Sequence, residues 1–198
     1  MLGYQRHLSR NLYHIITTME DFLEEGYVLP KAKSNYFNES KLKDKESVVI
    51  RILCSPIVGR EDREAKEGKE FGSPVRTKEP KEPLNQVADK YSSSGYKYPQ
   101  EFWAMKVWNY ETEQVQVRST TRTTVKEAIL NFKDSKMRGN PLWYDIEVKR
   151  QGEKKETKYI LTPWNKGTLD PEVAEKYLST PCDLDALWIG ADPFEAKF

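Results

Sequence analysis

Residues 101–163 decide the fold, and they read EFWAMKVWNYETEQVQVRSTTRTTVKEAILNFKDSKMRGNPLWYDIEVKRQGEKKETKYILTP. Phe102 to Asn109 is an aromatic and β-branched run, which is typical of a strand. Val115 to Arg118 alternates apolar and polar residues with period two. Because a short polar turn separates the two runs, they predict a β-hairpin.

A helix is predicted after this hairpin. Thr124 or Thr123 can serve as its N-cap, and Glu127 stands at capping-box distance from Thr124. Apolar residues then recur at helical spacing at Val125, Ile129 and Phe132. Gly139 and Pro141 stop the run.

Two further strands are predicted beyond the helix. Residues 144–149 alternate between apolar and charged side chains, and residues 157–162 form the partner strand before Pro163. A charged turn containing Gly152 separates them, so they predict a second hairpin.

Residues 47–54, which read SVVIRILC, are the first strand of this set. Val48, Ile50, Ile52 and Cys54 point into the core and Arg51 points outward. Residues 55–100 are too long and too polar for an ordinary connection, so we expect a loop that is functional or disordered.

Five strands with a helix between the third and the fourth is the order of an OB-fold. We therefore predict a mainly β protein with a five-stranded OB-fold barrel at 47–169 and a long loop between its first two strands. Residues 1–46 are predicted to hold an amphipathic helix, over 9–25, and a linker. The helix packs on its own domain or on a neighbouring subunit. A short helix over 171–178 and a moderately acidic tail make up residues 170–198.

Composition limits the classes of function. The chain has 198 residues, of which 37% are hydrophobic and 32% charged, enough for one sizeable core with much solvated surface. Basic residues outnumber acidic ones by six over Ser47–Leu169, whereas acidic residues lead by five over Asp170–Phe198. This distribution favours a surface that binds polyanions, although ordinary charge scatter also explains it.

Cysteine and histidine usage gives no sign of a disulfide, a zinc site or any other cofactor. Cys54 and Cys182 form no CxxC pair, and the two histidines lie together near the N-terminus. No signal peptide or membrane-spanning apolar run is evident, so we expect a soluble intracellular protein without membrane association. No catalytic motif is present, and a nuclease built on Asp145 and Glu147 is disfavoured because strand carboxylates are commonly just solvated.

The second and third predicted strands suggest where a nucleic acid would bind. Trp103, Met105 and Val107 form a core set, whereas Phe102, Lys106 and Trp108 alternate with them. On the next strand Val115 and Val117 are the core candidates, and Gln114, Gln116 and Arg118 alternate with them. A face of that composition suits stacked bases and phosphates, but Phe102 and Trp108 are equally well explained as core. The predicted nucleic-acid-binding residues are Arg51, Arg76, Lys78, Tyr96, Tyr98, Phe102, Lys106, Trp108, Tyr110, Arg118, Lys149 and Trp164, with Trp143 beside them.

The segments KVWNYET, TVKEAILNF, GNPLWYDIEVKRQG and TKYILTP resemble the core of OB-fold single-stranded DNA-binding proteins of tailed bacteriophages. The positions that carry the resemblance are Gly139, Pro141, Tyr144, Asp145, Ile146, Arg150, Gly152, Thr157, Lys158, Tyr159 and Pro163. The chain departs from that family in lacking the ligands of its zinc-bearing branch. Its tail, with Lys197 beside Phe198, is also less acidic.

The resemblance implies sequence-independent binding of single-stranded DNA during phage replication, recombination or repair, in the cytoplasm of an infected bacterium. It also implies that the tail recruits replication or recombination proteins or shields the DNA-binding groove. Packing of the tail back onto the barrel is the alternative. The alternative to DNA binding is an OB-like module for protein interaction.

Overall fold

The computed structural model describes residues 34–63, 74–79, 88–89, 95 and 97–195. These residues form a mainly β structure with an eight-stranded mixed sheet and two α-helices, α1 (Thr123–Asp134) and α2 (Pro171–Ser179). The strands are β1 (Tyr36–Phe37), β2 (Ser47–Ile52), β3 (Ile57–Arg63), β4 (Pro74–Thr77), β5 (Gln100–Asn109), β6 (Gln114–Thr120), β7 (Tyr144–Gln151) and β8 (Lys158–Lys166). Short 3-10 helices cover Glu39–Lys41, Pro141–Trp143, Lys154–Glu156 and Leu184–Ile189.

The sheet is open, which corrects the prediction of a five-stranded barrel. Its order is β1-β6-β5-β2-β7-β8, and within the described ranges no pairing joins β6 to β8. β1 pairs in parallel with β6, at Tyr36 opposite Val117 and Phe37 opposite Arg118. β1 therefore occupies the edge of β6 with which another strand would have to pair to close a barrel. The predicted mainly β class and the helix between β6 and β7 are confirmed.

The long segment between β2 and β5 contains two strands that were not predicted. β3 pairs antiparallel with the first half of β5 and with β4. Because residues 60–63 of β3 are all charged, hydrophobic periodicity does not predict this strand. Its charges are paired across the strands, because Arg76 lies opposite Glu61 and its Nη2 is 2.9 Å from the Glu61 carboxylate.

The main core lies between the sheet and α1. It is built from alternate residues of β2, β5 and β7 together with Val125 and Ile129 of α1. The predicted threonine N-cap is wrong: the cap position is Arg122, and no side chain caps the helix. Within the described ranges, no helix combines the length and the apolar character needed to cross a membrane.

Residues 34–46 belong to the folded unit and not to a linker. Besides β1, they supply Phe37 and Leu42 to the main core. Arg150 of β7 holds them in place, since its Nη1 donates to the Leu42 carbonyl at 2.7 Å. The helix predicted over residues 9–25 lies outside the described residues.

Candidate nucleic-acid interface

The outer face of β5 and β6, where the sequence predicted stacked bases, is covered by the protein's own C-terminal segment, residues 169–195. Phe102, Ala104 and Val117 form one buried cluster with Cys182, Leu184 and Leu187. Trp108 and Val115 form another with Val173. Phe102 and Trp108 are only 0% and 4% exposed, so the expectation that they are open to solvent is wrong. The stated alternative, that they are core residues, holds.

Helix α2 covers the half of this face that contains Trp108. The helix was predicted over 171–178 and is confirmed as Pro171–Ser179, with Asp170 capping it by accepting the Glu172 N–H at 2.8 Å. Lys176 Nζ lies 5.1 Å from the Trp108 ring centroid, and Lys106 Nζ lies 5.4 Å from that of Tyr177. The predicted stacking partners of DNA therefore already have partners within the chain.

Residues 182–194 cover the other half. The Trp188 ring meets the Phe102 ring edge to face, at 5.4 Å between centroids. Gly59 permits this approach, because a Cβ there would lie 2.6 Å from the Trp188 ring. Arg76 and Lys78 flank the same pair of rings. Arg76 Cζ lies 5.1 Å from the Phe102 ring centroid, and Lys78 Nζ lies 5.6 Å from that of Trp188. Over these residues the tail packs on the sheet, as the packing alternative expected.

Arg118 is a buried structural residue and not a surface contact. It lies opposite Met105, on the face of the main core, while Val115 and Val117 lie on the outer face. The sequence assigned these two faces of β6 the other way round. The guanidinium is fully buried, lies 3.6 Å from the Glu39 carboxylate and stacks 5.7 Å from the Phe37 centroid.

Arg51 is buried as well. Its Nε lies 3.2 Å from the Asp145 carboxylate, and its Nη2 donates to the Gly167 carbonyl at 2.9 Å. Tyr110, which is partly exposed, donates its hydroxyl to the same carboxylate at 3.1 Å. Burial and the adjacent Asp145 charge raise the pKa of Tyr110 to about 12. The network joins β2, β7 and the residue after β5 to the chain that follows β8, so its first role is structural.

The remaining predicted residues are accessible but do not form one surface. Lys78, Tyr98, Tyr110, Lys149 and Trp164 are exposed, Arg76 and Lys106 are half-buried, and Tyr96 lies outside the described residues. Arg76 and Tyr98 line two adjoining openings beside the β3–β4 hairpin, of about 610 and 350 Å³. Both openings are polar, and the larger one is also lined by Arg63 and by Arg122 at the start of α1.

A second exposed surface surrounds the end of β8, and we call it the tryptophan patch: Trp143, Trp164, Lys166 and Arg138. The two indole side chains belong to residues that are 52% and 49% exposed, unusually high values for tryptophan. Lys166 Nζ lies 5.2 Å from the Trp143 centroid. Arg138 Nη1 donates to the Trp164 carbonyl at 2.6 Å.

Local backbone geometry fixes this patch. Gly139 has a φ of +65° and turns the chain so that Trp143 packs beside it, with a ring carbon 3.3 Å from the position of a Cβ there. The Gly167 N–H donates to the Trp143 carbonyl at 3.0 Å, which holds the two ends of the patch together. The cations Arg138 and Lys166 were not predicted, because their neighbours are distant in the sequence: Lys166 meets Trp143 where β7 pairs with β8, and Arg138 meets Trp164.

Comparison with models of protein families, with curated proteins and with solved structures finds no match to this chain.

Proposed function

We propose that this protein binds single-stranded DNA without sequence preference and has no catalytic activity. The observation that carries the proposal is the tryptophan patch, in which two half-exposed indoles stand beside two cations on an open end of the sheet. Aromatic rings accept stacked bases of any sequence, and cations neutralise the phosphates between them. Since duplex DNA hides its base faces, such a surface selects single strands.

The mechanism needs no rearrangement of the fold. A base stacks on Trp164 or Trp143, and Lys166 or Arg138 lies within reach of the adjacent phosphate. Each stacked base contributes about 1–3 kcal/mol to the free energy of binding. Affinity is therefore the sum of several modest contributions and depends on salt concentration.

The wider biological role follows the resemblance described above. Seven of its eleven positions lie on β7 and β8, and the predicted strands keep the predicted order around α1, which supports an OB-like protein. We propose that the chain acts on single-stranded DNA in phage replication, recombination or repair, in the cytoplasm of an infected bacterium. Replication or recombination proteins and self-association through the N-terminal segment are proposed partners on the same basis.

The test is a pair of substitutions, Trp143→Ala and Trp164→Ala, measured by fluorescence anisotropy with a labelled oligothymidine. Each variant is expected to bind several-fold more weakly with an unchanged melting temperature, because each side chain is half exposed. Ile189→Ala is the matched control, since Ile189 is 84% exposed on the C-terminal segment.

Wild-type affinity in both folded variants would remove the patch from the interface. No binding of any single strand by the wild-type protein at low salt would favour the alternative function, a protein-interaction module. Cleavage of the oligonucleotide would instead indicate a nuclease.

A further inference from the structure

We infer that β8 and the ends of α1 form one continuous track for single-stranded DNA. The track runs from the larger polar opening beside the β3–β4 hairpin, called the groove below, to the tryptophan patch. This inference rests on the proposed function and extends it, because it specifies the path and the length of the bound strand. It places the strand along an edge of the sheet and leaves the covered outer face of β5 and β6 unused.

The first observation is that β8 is an edge strand. The sheet ends at β8, which pairs only with β7 among the described residues. Over its nine residues β8 carries no acidic side chain, and lysines stand at both ends, Lys158 and Lys166. From Lys158 to Lys166 the strand extends about 26 Å at about 3.3 Å per residue.

The second observation is that cations lie beside aromatic residues at both ends of β8. At the start, the Arg122 guanidinium stacks 4.7 Å from the Tyr159 ring centroid. At the far end, Arg138 bonds the Trp164 carbonyl at 2.6 Å, and Lys166 lies over Trp143. Sequence-independent single-strand interfaces combine such cations with aromatic side chains on which bases stack.

The third observation is that Arg122 belongs to both surfaces. It lines the groove of about 610 Å³, whose walls also carry the hydroxyl-bearing residues Thr121 and Thr123. It also stacks on β8 through Tyr159. A strand that leaves the groove therefore meets β8 without crossing a covered surface.

The charge along β8 favours a polyanionic ligand, because the strand carries two lysines and no acidic side chain. The nearest carboxylates on β7 are those of Asp145 and Glu147. Asp145 is neutralised by Arg51. Glu147 lies opposite Thr162, at the middle of β8 and away from both aromatic–cation ends.

The inference predicts a dependence on oligonucleotide length. Oligothymidines of about 4 and about 16 nucleotides, the limits of site size for a single OB-fold, should respond differently to Arg122→Ala. The longer one reaches from the tryptophan patch to Arg122 and should bind several-fold more weakly to this variant. The shorter one is held at the patch and should bind unchanged.

Two further variants sharpen the test. Arg122→Lys keeps the charge but loses the planar stacking on Tyr159, so we expect it to recover part of the affinity. Lys176→Ala is the control, because it removes one positive charge that lies over Trp108, on the covered face of β5 and β6.

A competition experiment tests whether stacking contributes to binding. An excess of polyglutamate should then displace neither oligonucleotide at moderate salt.

Equal effects of Arg122→Ala on both lengths, or no effect on either, would overturn the track while leaving single-strand binding intact. Complete displacement by polyglutamate would also overturn it, because the edge would then be a general site for acidic chains. Failure of the wild-type protein to bind both lengths would instead count against the proposed function.

Discussion

At the scale of single residues, the side chains that looked most like DNA contacts divide into buried and exposed ones. Arg51, Phe102, Trp108 and Arg118 are buried, whereas Trp143 and Trp164 are half exposed. A face of alternating aromatics and cations suits DNA binding and also suits burial under another segment of the same chain. The exposure of each side chain decides between these two roles.

Trp108→Ala is therefore expected to change stability and not DNA binding directly. The indole packs against Val115 and Val173 and is edge to face with Tyr110 at 6.4 Å between centroids. Truncating a buried tryptophan costs about 3–5 kcal/mol of the free energy of unfolding. Urea denaturation measures this loss, and a variant with unchanged stability would show that the side chain is not core.

Glu39→Gln is expected to destabilise the protein more than its small change in shape suggests. The substitution leaves the fully buried Arg118 guanidinium without a countercharge, and breaking a buried pair from one side costs about 3–5 kcal/mol. Arg118→Met is the paired variant, because replacing the cation by an apolar side chain is expected to cost less. A larger loss for Arg118→Met than for Glu39→Gln in the same urea titration would contradict this account.

Tyr110 predicts a dependence of stability on alkaline pH. Its pKa is raised to about 12 in the folded protein, first by burial and then by Asp145, from an ordinary value of 10. The neutral phenol therefore contributes stability that is complete below about pH 10 and is lost as the pH rises towards 12. The difference in melting temperature between wild type and Tyr110→Phe should be constant below pH 10 and shrink above it. A constant difference up to pH 12 would contradict the assigned cause.

At the scale of elements, periodicity predicted the strands that supply alternate residues to a core. β2, β5, β6, β7 and β8 were all predicted, as were both described α-helices, because their apolar residues recur at strand or helix spacing. β3 and β4 were missed because their stabilising contacts include a pair of opposite charges, Glu61 and Arg76, that lie far apart in the sequence. β1 was missed because it is two residues long.

The site was less predictable than the fold, because its residues also lie far apart in the sequence. Trp143 and Trp164 were predicted as candidate DNA contacts together with Trp108, but nothing in the sequence ranked them above Trp108. Arg138 is 26 positions from Trp164 and Lys166 is 23 positions from Trp143, so only the fold brings each cation to its tryptophan. The face of Arg118 was misassigned because alternation along β6 does not say which set points inward when both faces are buried.

Deletion of residues 181–198 tests the role of the C-terminal segment. The deletion uncovers Phe102 and Ala104 and removes Cys182, Leu184 and Leu187 from their cluster, so the melting temperature should fall. A packing segment predicts no gain in affinity for single strands at low salt. Tighter binding with an unchanged melting temperature would instead show that the segment shields a DNA-binding face.

At the scale of the whole molecule, charge and architecture point to the same use. The folded body carries an excess of positive charge, and acidic residues lead in the C-terminal segment. That segment is folded onto the sheet, so the open β8 edge remains for a polyanion. Binding through this edge requires an extended strand with accessible bases.

The most direct measurement is a titration of the full chain with labelled single-stranded and duplex DNA of equal length, at about 50 and about 200 mM salt. We expect tight binding of the single strand, much weaker binding of the duplex, and a loss of affinity with salt. The slope of log affinity against log salt should be about −0.7 for each phosphate contacted. Equal affinity for the two forms of DNA, or no binding of the single strand at the lower salt, would contradict the proposed function.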